Sequence, residues 1–229
     1  QAAVITAESA VLSPLAYLEY LLFWLPIHMT KIRKDPIYVV GFWRSGTTYL
    51  QNLLTRDPQF GWFDPVSTIT FGNSILLRKP LTAIAKNGLK GARAMDNLEF
   101  EIDLPMEEAH ALPNLTDLAI SHMMAFPDHG KGSKYVDSIF VDALPKKDRR
   151  RFYHLYNYML KKVTYMKNGK QLLLKSPDNT ARIAFLKRAY PHAKFINIYR
   201  NPYTVIRSAL NMFRIEMDKY ALSESVSDQ

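Results

Sequence analysis

The chain has no cysteine in its 229 residues. Disulfides are therefore excluded, as is any metal site built on thiolates, and the composition fits a reducing compartment. It also lacks an unbroken apolar run. The stretch from Val11 to Ile27 is rich in leucine and aromatic residues, but Pro14, Glu19 and Pro26 interrupt it. A bilayer span needs roughly 20 consecutive apolar residues. No basic leader precedes the stretch, which argues against a secretory signal and fits a cytoplasmic location. It reads as a helix packed on the domain, or as one lying on a membrane surface with Lys31, Arg33 and Lys34 at its edge, so that 11–34 forms a peripheral membrane contact. Internal repeats and low-complexity tracts are missing too. The histidines show no ligand spacing, and no Asp/Glu cluster completes a set with them, so no metal is expected.

What is present is 48% hydrophobic and 22% charged, enough for one globular domain over 1–229 with a sizeable core. There are 30 basic against 21 acidic residues, a formal net charge of +9. Such a field suits a strongly anionic ligand. Nucleic acid would also suit it. However, the basic residues are scattered apart from Lys146-Lys147 and Arg149-Arg150-Arg151, and no zinc-finger, basic-zipper or RNA-recognition signature occurs. Nucleic acid is therefore not expected as a partner.

In three short runs, Ile37–Phe42, Gln171–Lys175 and Lys194–Tyr199, apolar residues stand side by side instead of alternating, as expected of strands buried on both faces of a parallel sheet. Each is followed by a helical pattern. Ser176-Pro177 and Asn201-Pro202 each put a capping residue ahead of a proline at the first helical position. Between Asp57 and Gly169 the pattern predicts helices over Leu76–Leu89, Met106–Met124 and Lys146–Lys167, with loops at Asn87–Asp103 and Pro127–Ser133. The expected fold is α/β: a P-loop-like, three-layer arrangement with a central parallel sheet flanked by helices and a large helical insertion after the first strand–helix unit. Ligands in such folds bind beyond the carboxyl ends of the strands.

The segment from Ile37 to Leu50 points to one kind of ligand. A β-branched run enters a turn bracketed by Gly41 and Gly46, and an amphipathic helix follows with Tyr49, Leu50, Leu53 and Leu54. Backbone N–H groups at such a helix start cradle a phosphate. The glycine spacing is that of the nucleoside-triphosphatase loop, yet Thr47 stands where that loop needs lysine, and the cation is Arg44. Arg44, Ser45, Gly46, Thr47 and Thr48 therefore form a nucleotide-phosphate site built for something other than ATP hydrolysis.

The run WRSGTTYLQNLLTRDPQF resembles the loop of sulfotransferases that use 3′-phosphoadenosine-5′-phosphosulfate (PAPS), above all the bacterial-type family. Three further stretches fit that family in order: ARAMDN at 92–97, LPMEEAHAL at 104–112, and LLLKSPDNTARI with FINIYRNPYTVIRSAL across 172–210. The resemblance implies an enzyme that transfers a sulfuryl group from PAPS to a hydroxyl acceptor and releases adenosine 3′,5′-bisphosphate. It implies that Arg200 and Ser208 hold the 3′-phosphate, with Arg207 on another face of the helix, and that Lys175 touches the bridging oxygen or the sulfuryl group. Glu107 and Glu108 follow Pro105, where acids favour a helix start simply through its dipole. One of them would alternatively accept the hydroxyl proton. The family runs E-D-E-F here, so one acid is missing, and His110 replaces an aromatic residue and becomes the next candidate base. Asn179, Phe42, Tyr49 and Gln51 stand where the family commonly has histidine. The family also continues through further helices after the Arg200 motif, so a C-terminal part of its fold is expected outside these residues.

Two other readings stay open, a nucleoside or sugar kinase using the same loop and a non-catalytic basic protein of the membrane surface. For the acceptor, Trp62, Phe63, Phe71, Met123, Met124 and Phe126, with the apolar N-terminus, point to a lipophilic alcohol such as a sterol or other lipid. Each is also an ordinary core residue by type.

Overall fold

The computed structural model describes residues 2–32, 34–88, 102–126 and 134–221. Among them, strands β1 (Ile37–Val40), β2 (Phe60–Gly61), β3 (Gln171–Lys175) and β4 (Lys194–Asn197) form one sheet in the order β2-β3-β1-β4, every pairing parallel. The helices are α1 (Ala2–Met29), α2 (Thr47–Leu54), α3 (Pro65–Ile69), α4 (Arg78–Gly88), α5 (His122–Ala125), α6 (Lys134–Asp137), α7 (Lys146–Met166), α8 (Ile183–Ala189) and α9 (Pro202–Tyr220). This is the expected α/β plan, with the insertion between α2 and β3.

Central β1 and β3 are buried almost throughout. On α7, Phe152, Tyr156, Met159, Leu160 and Val163 recur at helical spacing and pack with Tyr38, Leu172, Leu174, Phe185 and Leu186 in one core. Each such side chain contributes about 1.5–3 kcal/mol by leaving water. The outer strand departs from expectation. In β4 Lys194 and Asn197 are exposed and Phe195 and Ile196 only half-buried, because β4 lies at the sheet edge. The first and last strands also stop short of Phe42 and Tyr199, as Gly41 turns the chain out of the sheet.

The predicted helix over Met106–Met124 does not form as one element. Glu108–Asn114 is a 3-10 run with Pro113 inside it, and a regular helix resumes only at α5. Proline removes a backbone donor, and the Thr116 hydroxyl then accepts the Leu118 N–H at 3.1 Å in a local turn that competes with helix. Of the predicted loops, 89–101 and 127–133 lie outside the described residues, and the ARAMDN stretch lies with them.

Asp64 fastens the start of the insertion. It caps α3 in a capping box with Ser67, with Pro65 next in line. Its carboxylate also takes two hydrogen bonds from Arg78, at 2.9 and 2.6 Å, and one from Lys167 at 2.9 Å. Burial pushes this carboxyl up, but the Arg78 bonds and the Lys167 and Arg78 charges outweigh it and hold it at about 2.

Helix α1 extends well beyond the expected 11–27. It docks by one stripe, Leu12, Ala16, Glu19, Phe23 and Ile27, against the 3-10 turn Phe71–Asn73 and α7. Glu19, 1% exposed, accepts from the Ile75 and Leu76 N–H groups at 2.9 and 2.6 Å and pairs with Lys162 at 2.5 Å. Lys162 also donates to the Phe71 carbonyl.

Candidate active site

Beyond Val40 the chain must reverse into α2 in six residues, and the backbone carries the strain. Gly41 lies at φ 152 and its N–H donates to Thr180 Oγ1 at 2.9 Å, tying the loop to the segment after β3. A Cβ on Gly41 would press into the Ile198 carbonyl well inside contact distance. Arg44 sits at φ 67, a left-handed conformation uncommon for a side chain of that size. Ser45 closes the turn, its N–H and Oγ both donating to the Phe42 carbonyl at 3.2 and 2.7 Å. Gly46, at φ 100, is the N-cap residue of α2, and no side chain caps that first turn. The N–H groups of Thr47 and Thr48 thus begin a helix at the carboxyl edge of the sheet.

Lys175 ends β3 opposite Val39 of β1, directly beside this loop. Its ammonium is 2% exposed and donates to Thr48 Oγ1 at 3.2 Å and to Glu107 Oε1 at 2.5 Å. The other Glu107 oxygen lies 3.6 Å from His110 Nε2. Glu107 is brought here by the chain before it, where the Met106 N–H donates to the Phe63 carbonyl at 2.7 Å. Thr48, Lys175, Glu107 and His110 therefore form a continuous line from the loop to the insertion.

The third contribution comes from α9. Asn201 caps it by accepting the Tyr203 N–H at 3.0 Å, with Pro202 at the first helical position. Ser176 differs: no side-chain cap forms there, a 3-10 turn over Pro177–Thr180 follows, and the buried Ser176 hydroxyl has no hydrogen-bond partner among the described residues. Ser208, one face inward on α9, accepts from Arg44 Nε at 3.1 Å. Arg200 is exposed just ahead of the cap, and Arg207 faces outward with Tyr203 and Leu210. Stretches 40, 100 and 200 residues into the chain thus meet at the carboxyl edge of the sheet.

These features lie on a segment that matches a known pattern as a whole. Residues 36–229 match the sequence profile of the Sulfotransferase family. The chain belongs to that family. It is 25% identical, over 99% of its length, to the omega-hydroxy-beta-dihydromenaquinone-9 sulfotransferase Stf3 of Mycobacterium bovis and to that of Mycobacterium tuberculosis. It spans 58% of those proteins. Among solved structures it resembles sulfotransferase STF9 from Mycobacterium avium, with TM-score 0.62 over 87% of this chain and 51% of that one. Sulfotransferase STF1 from Mycobacterium tuberculosis gives 0.56 over 90% and 62%. At 18% identity both likenesses describe the fold alone.

Within this sulfotransferase fold the two adjacent glutamates part company. Glu107 faces Lys175 and keeps 20% of its side chain exposed, whereas Glu108 turns into the core and is 1% exposed. Glu108 Oε1 accepts from Asn179 Nδ2 at 2.5 Å and from the Tyr156 hydroxyl at 3.2 Å. Burial raises its carboxyl, the Asn179 bond opposes this, and the Glu107 charge adds to the rise. Asn179, Tyr156 and Thr180 are thus site-supporting residues that motif reading passed over; Asn179 had stood out only as a departure from the family pattern. Burial also raises Asp178, against the pull of Arg182 at 3.6 Å. Of the other departures, Phe42 and Tyr49 are exposed, and Gln51 is buried with neither amide atom paired among the described residues. The suggested acceptor walls are revised as well, since Phe63 and Phe71 are core residues at 1% exposure. Trp62, Met123, Met124 and Phe126 are half-buried. Among the described residues no group of three or more His, Asp or Glu side chains gathers to hold a metal ion.

Proposed function

We propose that this chain carries the donor site and the proton acceptor of a sulfotransferase that moves a sulfuryl group from PAPS to the hydroxyl of a lipophilic alcohol. The observation that carries the reading is Lys175, whose buried ammonium bridges Thr48 of the loop and Glu107 of the insertion. A cation held between an anion-binding helix start and a carboxylate suits a leaving group on one side and a hydroxyl on the other.

In the proposed reaction the acceptor oxygen attacks sulfur in line, and the bond from sulfur to the bridging phosphate oxygen breaks. The electron pair stays on that oxygen, giving adenosine 3′,5′-bisphosphate. The hydroxyl proton passes to Glu107, with His110 3.6 Å behind it as the alternative acceptor. Arg44, Ser45, Gly46, Thr47 and Thr48 hold the phosphosulfate, Lys175 offsets charge on the bridging oxygen, and Arg200 with Ser208 hold the 3′-phosphate. The Lys175–Glu107 pair opens as the donor arrives, which frees the carboxylate. Glu108 acts through Asn179 as a positioning residue. A lipophilic acceptor is supported by the curated relatives, whose name gives a hydroxylated menaquinone as substrate.

Calorimetry with adenosine 3′,5′-bisphosphate and with ATP tests the donor site. Binding of the bisphosphate in clear preference to ATP is expected; ATP-selective binding would make this a kinase-type loop. Incubation with PAPS and a panel of lipid alcohols, read by mass spectrometry, tests the transfer, and it fails if no sulfate ester forms with any of them.

A further inference from the structure

Helix α1 is apolar on nearly every side, and a helix of that kind has to be covered on every side. The window Ser9–Met29 has a mean hydropathy of 1.5, sufficient in length and composition to cross a bilayer, yet the body buries only 11% of it. The docking stripe accounts for the covered side. On the other side Leu18, Leu22, Leu25 and Met29 follow at spacings of three and four residues and are 43–70% exposed, with Leu21 beside them at 57%. Tyr17, Tyr20 and Trp24, again three and four apart, form an exposed aromatic strip between this face and the body.

We infer that α1 lies flat in the interface of an anionic membrane, its leucine face toward the acyl chains and its aromatic strip at headgroup level. A transbilayer pose is incompatible with the docking stripe. Glu19 is paired with Lys162 of α7 and with two backbone N–H groups, so pulling α1 across a membrane would strip a buried charge pair apart. The charge pattern selects lipid over a second copy of the chain. Lys31 and Lys34 stand exposed just past the helix, Glu19 is turned inward, and the Asp35 carboxylate is engaged by the His192 N–H at 2.7 Å. A second copy packed in parallel would set lysine against lysine at this end of the helix, whereas anionic headgroups would meet them directly. The Phe71–Asn73 turn that receives α1 also packs on the 3-10 run beginning at Glu108, next to Glu107. The membrane face and the proposed acceptor side are thus two packing contacts apart.

Flotation of the chain with vesicles of phosphatidylcholine, and of phosphatidylcholine mixed with phosphatidylglycerol, tests this without donor or acceptor. Its outcome is thus independent of the transfer reaction. Binding to the mixed vesicles, weakened by salt, is expected. Leu21→Glu/Leu25→Glu should lower vesicle affinity by about tenfold or more, with thermal midpoint and adenosine bisphosphate binding unchanged. Brominated lipid should quench Trp24, read as the quenching that disappears in Trp24→Phe. The proposal is overturned by a wild-type chain that stays off both vesicles, by a double variant that binds like wild type, or by a concentration-dependent dimer that the same substitutions abolish.

Discussion

An ammonium as buried as that of Lys175 is stable only while a carboxylate faces it, and Glu107 is that carboxylate. The pairing sharpens what Glu107→Gln should do. Turnover should fall by about 10²–10⁴-fold, the usual scale for loss of a general base. Affinity for adenosine 3′,5′-bisphosphate should not fall, because the lost charge competes with an anionic ligand for Lys175. A collapse of turnover in His110→Gln alone would move the role to the imidazole. Glu108, one residue on, calls for a pH experiment. Its raised carboxyl holds a proton more tightly in the folded than in the unfolded chain. Its stabilising contribution is therefore complete below the ordinary carboxylate range and is lost as pH rises through the raised value. Glu108→Gln should flatten that decline in thermal midpoint as pH rises above the ordinary carboxylate range, leaving the contribution of Asp178, which burial shifts the same way. An unchanged slope would mean that Glu108 is ionised in the folded chain.

The loop between β1 and α2 holds two glycines that are needed for different reasons. At Gly46 the left-handed backbone is the obstacle, since a Cβ would meet only Ile198 Cδ1 at 3.5 Å. Gly46→Ala should cost about 1–2 kcal/mol, the ordinary penalty for that conformation. At Gly41 the Ile198 carbonyl blocks the Cβ as well, and the Ile198 N–H donates to Val40 at 3.0 Å, so relief must displace the end of β4. Gly41→Ala should therefore be the more destabilising in urea titration. Equal midpoints for the two variants would show that the Ile198 backbone yields freely.

Across the whole molecule, α1 and the body are joined through one buried charge pair. Glu19 and Lys162 are 1% and 2% exposed, and burial pulls the lysine below its ordinary range while Glu19 draws it back. Breaking such a pair from one side leaves an uncompensated charge and costs about 3–5 kcal/mol. Glu19→Gln should lose that much in chemical denaturation, and Glu19→Leu/Lys162→Leu should recover only part of it, because the Ile75 and Leu76 N–H groups and the Phe71 carbonyl lose their side-chain partners. A single variant as stable as wild type would show that α1 docks through its apolar stripe alone.

Much of this was legible from local pattern. The glycine spacing around Arg44, the apolar runs that became β1 and β3, the 3.6-residue period of α7 and the Asn201-Pro202 start of α9 involve neighbours within a few residues, and local sterics and hydrogen bonding govern them. The order of the motifs likewise belongs to the sequence alone, and it identifies the family. Which glutamate faces Lys175 does not. Glu107 and Glu108 are chemically the same, and only the packing of the insertion turns one to Lys175 and the other to Tyr156. The Arg44–Ser208 bond joins residues 164 apart, a distance over which no periodicity carries information. The break at Pro113 was visible as a residue, and the structure adds the local Thr116–Leu118 turn that keeps a regular helix from resuming at once. The free face of α1 is the clearest case. The sequence determined that the helix is apolar on both sides, and the body, by placing Lys162 and the Phe71–Asn73 turn, decided which side it covers and which it leaves open.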